Sequence, residues 1–196
     1  MAFKDLYNAV QEIDGRVKTG ALTVLAIEHS DIKHVIEMWS GQIDPDALRG
    51  SYIEGPLGPP VVLGEHEALI ALSREMCTAK PHGRYWRRLV YTKELMHVFD
   101  TEEEKSDTEA KFDLQIQKFA DPTLEMTPQF RSEAKAVWRA MMVLCQEERR
   151  QEFVAKIASG DITLDYIAAA IHFPLPYIHY LLQENYTEIT AHLVEG

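Results

Sequence analysis

The chain has only two cysteines among its 196 residues, Cys77 and Cys145, which excludes a disulfide framework. A single bridge remains an alternative, but charges run throughout the first residues, which lack the pattern of a secretory signal. We therefore expect two reduced thiols and a cytoplasmic location. No apolar run approaches the ~20 residues that a membrane helix needs, so the sequence predicts no membrane span.

Basic residues are also few. Lys and Arg number 20 against 31 Asp and Glu, which gives a net charge of −11, and neither Lys nor Arg follows Lys156. Residues 163–182 have the apolar pattern of a helix-turn-helix, but a recognition helix needs basic side chains to reach phosphates. A DNA-binding regulator is therefore disfavoured, and we expect no nucleic acid partner. We interpret this segment as packing helices in which Tyr177 and Tyr180 form a candidate surface for a protein partner.

Several catalytic motifs are missing. The sequence has no G-x-S-x-G, no G-x-G-x-x-G and no P-loop, which argues against a serine hydrolase and against nucleotide binding. Neither cysteine belongs to a C-x-x-C pair or has a histidine close by in the sequence, so a nucleophilic thiol is not expected.

Apolar residues make up 46% of the chain, enough for one domain spanning residues 1–196. Its predicted parts are N-terminal helices over 1–49, a core over 50–182 and a tail over 183–196. Ser30 and Asp31 are good N-cap residues for a helix ending near residue 41. The predicted fold class is α+β, mostly helical, with a small antiparallel sheet. Two or three strands are expected from the stretches 51–54, 60–63 and 67–72. Helices are expected at 3–14, 85–99, 112–119 and after Thr127, and a solvated acidic connection at 100–110.

The helix predicted over 85–99 contains the pentapeptide K-E-L-M-H, which ends at His97. Zinc hydrolases often use H-E-x-x-H on a helix, because two histidines four residues apart lie on one face and hold one metal. The glutamate of that motif takes a proton from metal-bound water. Here Glu94 stands at the base position and His97 at the second ligand position. Lys93 stands where the first histidine would be.

Four segments in order resemble the ImmA/IrrE family of HExxH metallopeptidases. They are a Gly/Pro-rich stretch at 52–62, R-L-V-Y-T-K-E-L-M-H at 88–97, E-A-K-A at 133–136 and I-A-A-A-I-H-F-P at 167–174. The resemblance implies a zincin-like fold, in which the small sheet packs on the helix that carries the HExxH-like motif. It also implies that Glu133 corresponds to the third metal ligand. Family members are commonly coupled to transcriptional regulators, so regulation through a protein partner is expected.

Lys93 is the departure from the family pattern that matters most, since an ammonium has no lone pair to offer a metal. His97 and Glu133 alone give two ligands, whereas catalytic zinc sites use three. We therefore expect a degenerate site without a cofactor, in which Lys93 acts as a counter-ion for Glu133 or for another carboxylate of the cleft. The alternative is an active zinc peptidase, with Glu94 as the base and a compensating ligand from His82, Asp100 or Asp107. A simpler interpretation makes His97 a core histidine and both glutamates surface groups.

Overall fold

The computed structural model describes residues 3–43, 49–77, 81–104 and 128–195. The first helix, α1 (Phe3–Gln11), buries Phe3, Leu6 and Val10 on one face, as the predicted helical spacing requires. A second helix, α2 (Thr19–Glu28), follows and packs against α1. The helix expected over 112–119 and most of the acidic connection over 100–110 lie outside the described residues.

The prediction of a helix after Ser30 and Asp31 is wrong. The structure has a strand there, β1 (His34–Ser40). Val35, Ile36 and Trp39 suit one face of a helix as well as a half-buried strand, so their spacing does not decide the structure. Pairing decides it, since β1 forms a continuous parallel ladder with β3 (Glu67–Ser73). The N-terminal part of the chain is therefore not purely helical.

The sheet is mixed rather than antiparallel, which corrects the prediction. Its order is β1-β3-β2: β3 pairs in parallel with β1 and antiparallel with β2 (Gly50–Glu54). The strand predicted at 60–63 is absent, and this stretch makes a single bridge, between Leu57 and Leu63. Prolines at 59 and 60 explain this, because proline has no N–H to donate to a ladder.

The central helix α3 (Pro81–Leu95) continues into a 3-10 turn over Met96–Phe99. α3 contacts β2 and β3 of the sheet and also the long helix α4 (Pro128–Leu144). Leu89 and Leu95 of α3 and Met141 of α4 belong to one buried core. This arrangement brings the end of α3 and the first turns of α4 next to each other.

The rest of the described chain is helical, in the order α5 (Glu147–Ala158), α6 (Leu164–Ile171), a 3-10 turn, α7 (Ile178–Leu182) and α8 (Tyr186–Glu195). The tail predicted over 183–196 is thus largely a helix. Tyr186 is buried against Trp138, and this contact ties α8 to α4. The fold is α+β, as predicted. None of the helices in the described part of the chain has the length and apolarity needed to span a bilayer.

Gly50 is a point of close approach between β2 and α3, and its replacement by alanine should destabilise the protein. A Cβ there would lie 2.8 Å from Val90 Cγ1 and 3.0 Å from Glu94 Oε1. We expect Gly50→Ala to lower the free energy of unfolding by about 1–3 kcal/mol, measured by urea denaturation. A Cβ added at Gly20 of α2 would meet no atom of the described residues within 4 Å, so Gly20→Ala should raise the free energy of unfolding by about 0.5–1 kcal/mol. Equal effects of the two changes would contradict this packing.

Candidate functional site

The end of α3 and the start of α4 bring together the residues singled out by the sequence. Lys93 and Glu94 lie in the last turn of α3, and His97 follows in the 3-10 turn. Ser132 and Glu133 come from the first turns of α4. Because residues 93 and 97 are four apart, both side chains reach towards α4.

The ammonium of Lys93 bridges two carboxylates. Its Nζ lies 3.0 Å from Glu94 Oε1 and 2.5 Å from Glu133 Oε2. The side chain of Lys93 is 12% exposed and that of Glu94 only 3%, whereas Glu133 is 44% exposed. The pair formed by Lys93 and Glu94 is therefore buried, and Glu133 closes it on the solvent side. This is the counter-ion arrangement that the sequence predicts for Lys93 and Glu133.

Burial and ion pairing act in opposite directions on these groups. Burial tends to lower the pKa of Lys93, but the two glutamates outweigh it and raise that pKa above its usual value. Burial raises the pKa of Glu94, even though Lys93 opposes it. Burial also acts to raise the pKa of Glu133, but contacts with His97 and Lys93 outweigh it and hold the pKa at about 2. Lys93 and Glu133 are thus charged at neutral pH.

Asp100 and Ser132 fix the Nδ1 side of the His97 ring. Nδ1 lies 2.7 Å from Asp100 Oδ2 and 3.2 Å from Ser132 Oγ, and the Ser132 hydroxyl donates a 2.5 Å hydrogen bond to the same carboxylate. Its Nε2 is buried and makes no hydrogen bond with the described residues; it lies 3.4 Å from Glu133 Oε1 and 3.8 Å from Glu94 Oε2. Burial acts to lower the pKa of His97, but Asp100 and Glu133 outweigh it and raise the pKa to about 9. The imidazole therefore carries a proton on each nitrogen at neutral pH.

The structure corrects the interpretation of Asp100 as part of a solvated connection. Its side chain is only 3% exposed, and Arg139 Nη1 lies 3.6 Å from its Oδ1. Arg139 is itself buried, with its guanidinium over the ring of Phe3 at 5.1 Å. Sequence reasoning missed Ser132 and Arg139. Both missed residues come from α4, far from His97 in the sequence. The only local sequence signal for this group of side chains is the three-residue spacing from His97 to Asp100.

A zinc ion does not fit this donor set. Lys93 has no lone pair, and the imidazolium of His97 offers none until it loses a proton. Within residues 3–43, 49–77, 81–104 and 128–195, no three His, Cys, Asp or Glu side chains form a group that could hold a metal. Of the compensating ligands considered, Asp100 is engaged by His97 and Ser132. The side chain of His82 and all of Asp107 lie outside the described residues.

A cavity of about 170 Å³ opens beside the buried pair of Lys93 and Glu94. Its walls are mainly apolar and aromatic, which is typical of a pocket for an apolar group. Arg49 lies at this cavity with its guanidinium 3.6 Å from the centre of the Trp86 ring. The lining residues are Arg49, Gly50, Trp86, Leu89, Val90, Lys93, Glu94, Val137 and Tyr177.

The two tyrosines proposed as a partner surface lie near this cavity. Tyr177 is half-buried and meets Trp86 edge-on at 5.6 Å between ring centres. Tyr180 is 39% exposed, and its ring lies 6.0 Å from that of Tyr177. Both rings therefore keep surface that a partner could contact.

Comparison of the chain with protein-family models finds no match, and searches of curated proteins and of solved structures find none either. The resemblance to the ImmA/IrrE family thus stays a prediction. A functional inference depends on the geometry of this chain's own side chains.

Replacement of His97 should show a pH dependence of defined sign. Because its pKa rises from about 6.5 to about 9 on folding, its ion pairs stabilise the protein fully below pH 6.5, and this contribution disappears as the pH rises through 9. We expect His97→Gln to cost more stability at pH 6 than at pH 9.5, measured by urea denaturation of both proteins.

The control is His192→Gln, since the side chain of His192 is exposed on α8. This change should alter stability by less than about 0.5 kcal/mol at both pH values. A cost of His97→Gln that is the same at both pH values would show that the histidine is neutral in the folded protein.

Proposed function

We propose that this chain is a cytoplasmic, ImmA/IrrE-like protein with a zincin-like fold and a degenerate metal site. It acts by binding a protein partner, in a regulatory role, rather than by cutting peptide bonds. The observation that carries the proposal is the Lys93 ammonium, within 3.0 Å of both Glu94 and Glu133. A positive charge built into the chain stands among the carboxylates that a metal ion would otherwise neutralise.

The cavity beside the ion pair supports a binding role. Its apolar walls and volume of about 170 Å³ suit one apolar side chain of a partner. The half-exposed rings of Tyr177 and Tyr180 extend this surface, and tyrosine is enriched where proteins contact one another. The partner is thus expected to insert an apolar anchor next to Trp86 and to cover the two tyrosines.

A zinc-dependent peptidase is the alternative, favoured by one observation. His97 Nε2 faces Glu133 and Glu94 without a hydrogen bond, while Nδ1 is fixed by Asp100. Metal-bound histidines are commonly oriented in this way by a carboxylate on the other nitrogen. The ammonium of Lys93 weighs against it, because a cation 2.5 Å from Glu133 repels a second cation at the same carboxylate.

The two functions differ in metal content and hydrolysis. The purified protein should contain far less than one zinc per chain by elemental analysis, and it should not degrade casein with or without added zinc. One tightly bound zinc per chain together with hydrolysis blocked by a chelator would establish the peptidase instead.

Replacing Lys93 by histidine should create a zinc site. Lys93→His removes the cation and places an imidazole four residues before His97, so this new imidazole supplies a third ligand beside His97 and Glu133. We expect zinc binding with a dissociation constant in the micromolar range or tighter at pH 8, measured by isothermal titration calorimetry.

Two controls make this result specific. Lys93→Gln removes the charge without adding a ligand and should bind zinc no better than the parent protein. Lys93→His combined with Glu133→Gln should lose most of the gained affinity. If Lys93→His folds normally and binds no zinc at micromolar metal, the degenerate-peptidase proposal must be abandoned.

The cavity should bind small models of an apolar side chain. N-acetyl-leucinamide and N-acetyl-phenylalaninamide, at concentrations on the order of 1 mM, should shift the indole resonance of Trp86 in NMR spectra, because Trp86 lines the cavity. Val137→Phe fills part of the cavity and should abolish the shift, whereas Val24→Phe, at an exposed position of α2, should not. No shift at any soluble concentration would contradict this part of the proposal.

A further inference from the structure

Four arginines on this acidic chain have no acidic partner among the described residues. Arg16 lies in the link between α1 and α2, Arg84 and Arg88 lie in α3, and Arg149 lies in the first turn of α5. The ion pairs in the described part of the chain involve other residues. In a protein with a net charge of −11, four guanidinium groups without an acidic partner among the described residues are unexpected.

These arginines converge on the loop after α6. Arg16 Nη1 lies 2.7 Å from His172 Nε2, and the ring of Tyr85 stacks on that imidazole at 5.2 Å. Arg149 Nη2 donates a 3.3 Å hydrogen bond to the carbonyl of Ala170, two residues before His172. Arg84 and Arg88 are one helical turn apart on α3, before and after Tyr85. The link between α1 and α2, helix α3 and helix α5 thus bring positive charge to one place.

Arg88 is the buried member of the cluster. It is 9% exposed, and its Nε and Nη2 are buried without a hydrogen-bond partner among the described residues. Burial and the guanidinium groups of Arg16 and Arg149 lower the pKa of Arg88 to about 10, so it remains charged at neutral pH. Cys145 supplies no counter-charge, because burial raises the pKa of its thiol to about 12. A buried, charged donor without a partner is costly, which calls for an acceptor that the described residues do not supply.

We propose that Arg16, Arg84, Arg88 and Arg149 form a binding site for the phosphate group of a phosphomonoester. A phosphate dianion has the charge and the several acceptor oxygens that guanidinium forks match. Arg88 is buried, Arg149 is half-buried, and Arg16 and Arg84 are exposed, so the cluster extends from the interior to the surface. The site goes beyond the proposed function, since Arg88 points roughly 140° around α3 from Lys93 and shares none of its contacts.

Phosphate should bind this site in preference to other anions. Titration of the full chain with inorganic phosphate at pH 7.5, at ionic strength held constant with chloride, should give saturable heat in calorimetry. Arg88→Met should weaken phosphate binding by at least about tenfold, since it removes charged donors to the anion. Arg87→Met is the matched control, because the neighbouring Arg87 pairs with Glu37 at 2.8 Å; its affinity should stay within about twofold.

A second variant and a second probe keep the test decisive if Arg88→Met does not fold. Arg16→Gln, at an exposed position, should also weaken phosphate binding. Burial and the nearby Arg16, Arg88 and Arg84 lower the pKa of His172, so bound phosphate should raise that pKa in an NMR titration. Binding of chloride as strong as that of phosphate, or binding unaffected by either arginine variant, would overturn the proposal.

The source of the phosphate can be separated with two further ligands. A phosphoserine peptide and adenosine monophosphate carry the same group on different bodies. Tighter binding of the peptide than of inorganic phosphate supports a phosphorylated protein as the ligand, and tighter binding of the nucleotide supports a small metabolite. With either ligand, the proposal stands only if Arg88→Met also weakens binding.

Discussion

The ion pair between Lys93 and Glu94 is the constraint on which the rest of the site depends. A carboxylate that is only 3% exposed needs a cation beside it, and Lys93 supplies one from the preceding position of the same helix. The same ammonium reaches Glu133, so it also links α3 to α4. Gly50 leaves the space in which the Glu94 side chain lies against β2. The sheet, α3 and α4 therefore meet around this buried ion pair.

The surrounding cluster has acidic and basic side chains in equal number. Glu94, Glu133 and Asp100 face Lys93, His97 and Arg139 at distances between 2.5 and 3.8 Å. In a metallopeptidase, part of this positive charge would come from a dication. Here side chains supply all of it, and the high pKa of His97 is part of that supply. The Lys93 ammonium thus accounts for both properties of the site. It offers no lone pair to a metal, and it supplies part of the positive charge that balances the carboxylates.

The sequence predicts features that depend on neighbours along the chain and misses those that depend on distant pairing. The four-residue spacing from Lys93 to His97 and the helix of residues 3–11 follow from local periodicity. β1 does not, because its ladder with β3 joins segments about 30 residues apart and overrides a helix-compatible spacing. Burial of Asp100 depends in the same way on Ser132 and Arg139 of α4. A charged segment is expected in solvent until such partners are known.

The charged groups around Lys93 and those around Arg88 both include residues of α3. The two clusters differ in charge balance, and this difference separates a structural network from a candidate binding site. The described acidic and basic groups around Lys93 balance one another in charge, so that network requires no added ion, although atoms of His97, Asp100 and Arg139 are buried without a hydrogen bond among the described residues. The arginines around Arg88 repel one another, and two buried nitrogens of Arg88 have no acceptor in the part of the chain that the structure describes. A chain retains such an unfavourable arrangement more readily when a ligand offsets it than when nothing does. Charge balance, rather than the motif at 93–97, therefore indicates where this protein binds a charged ligand.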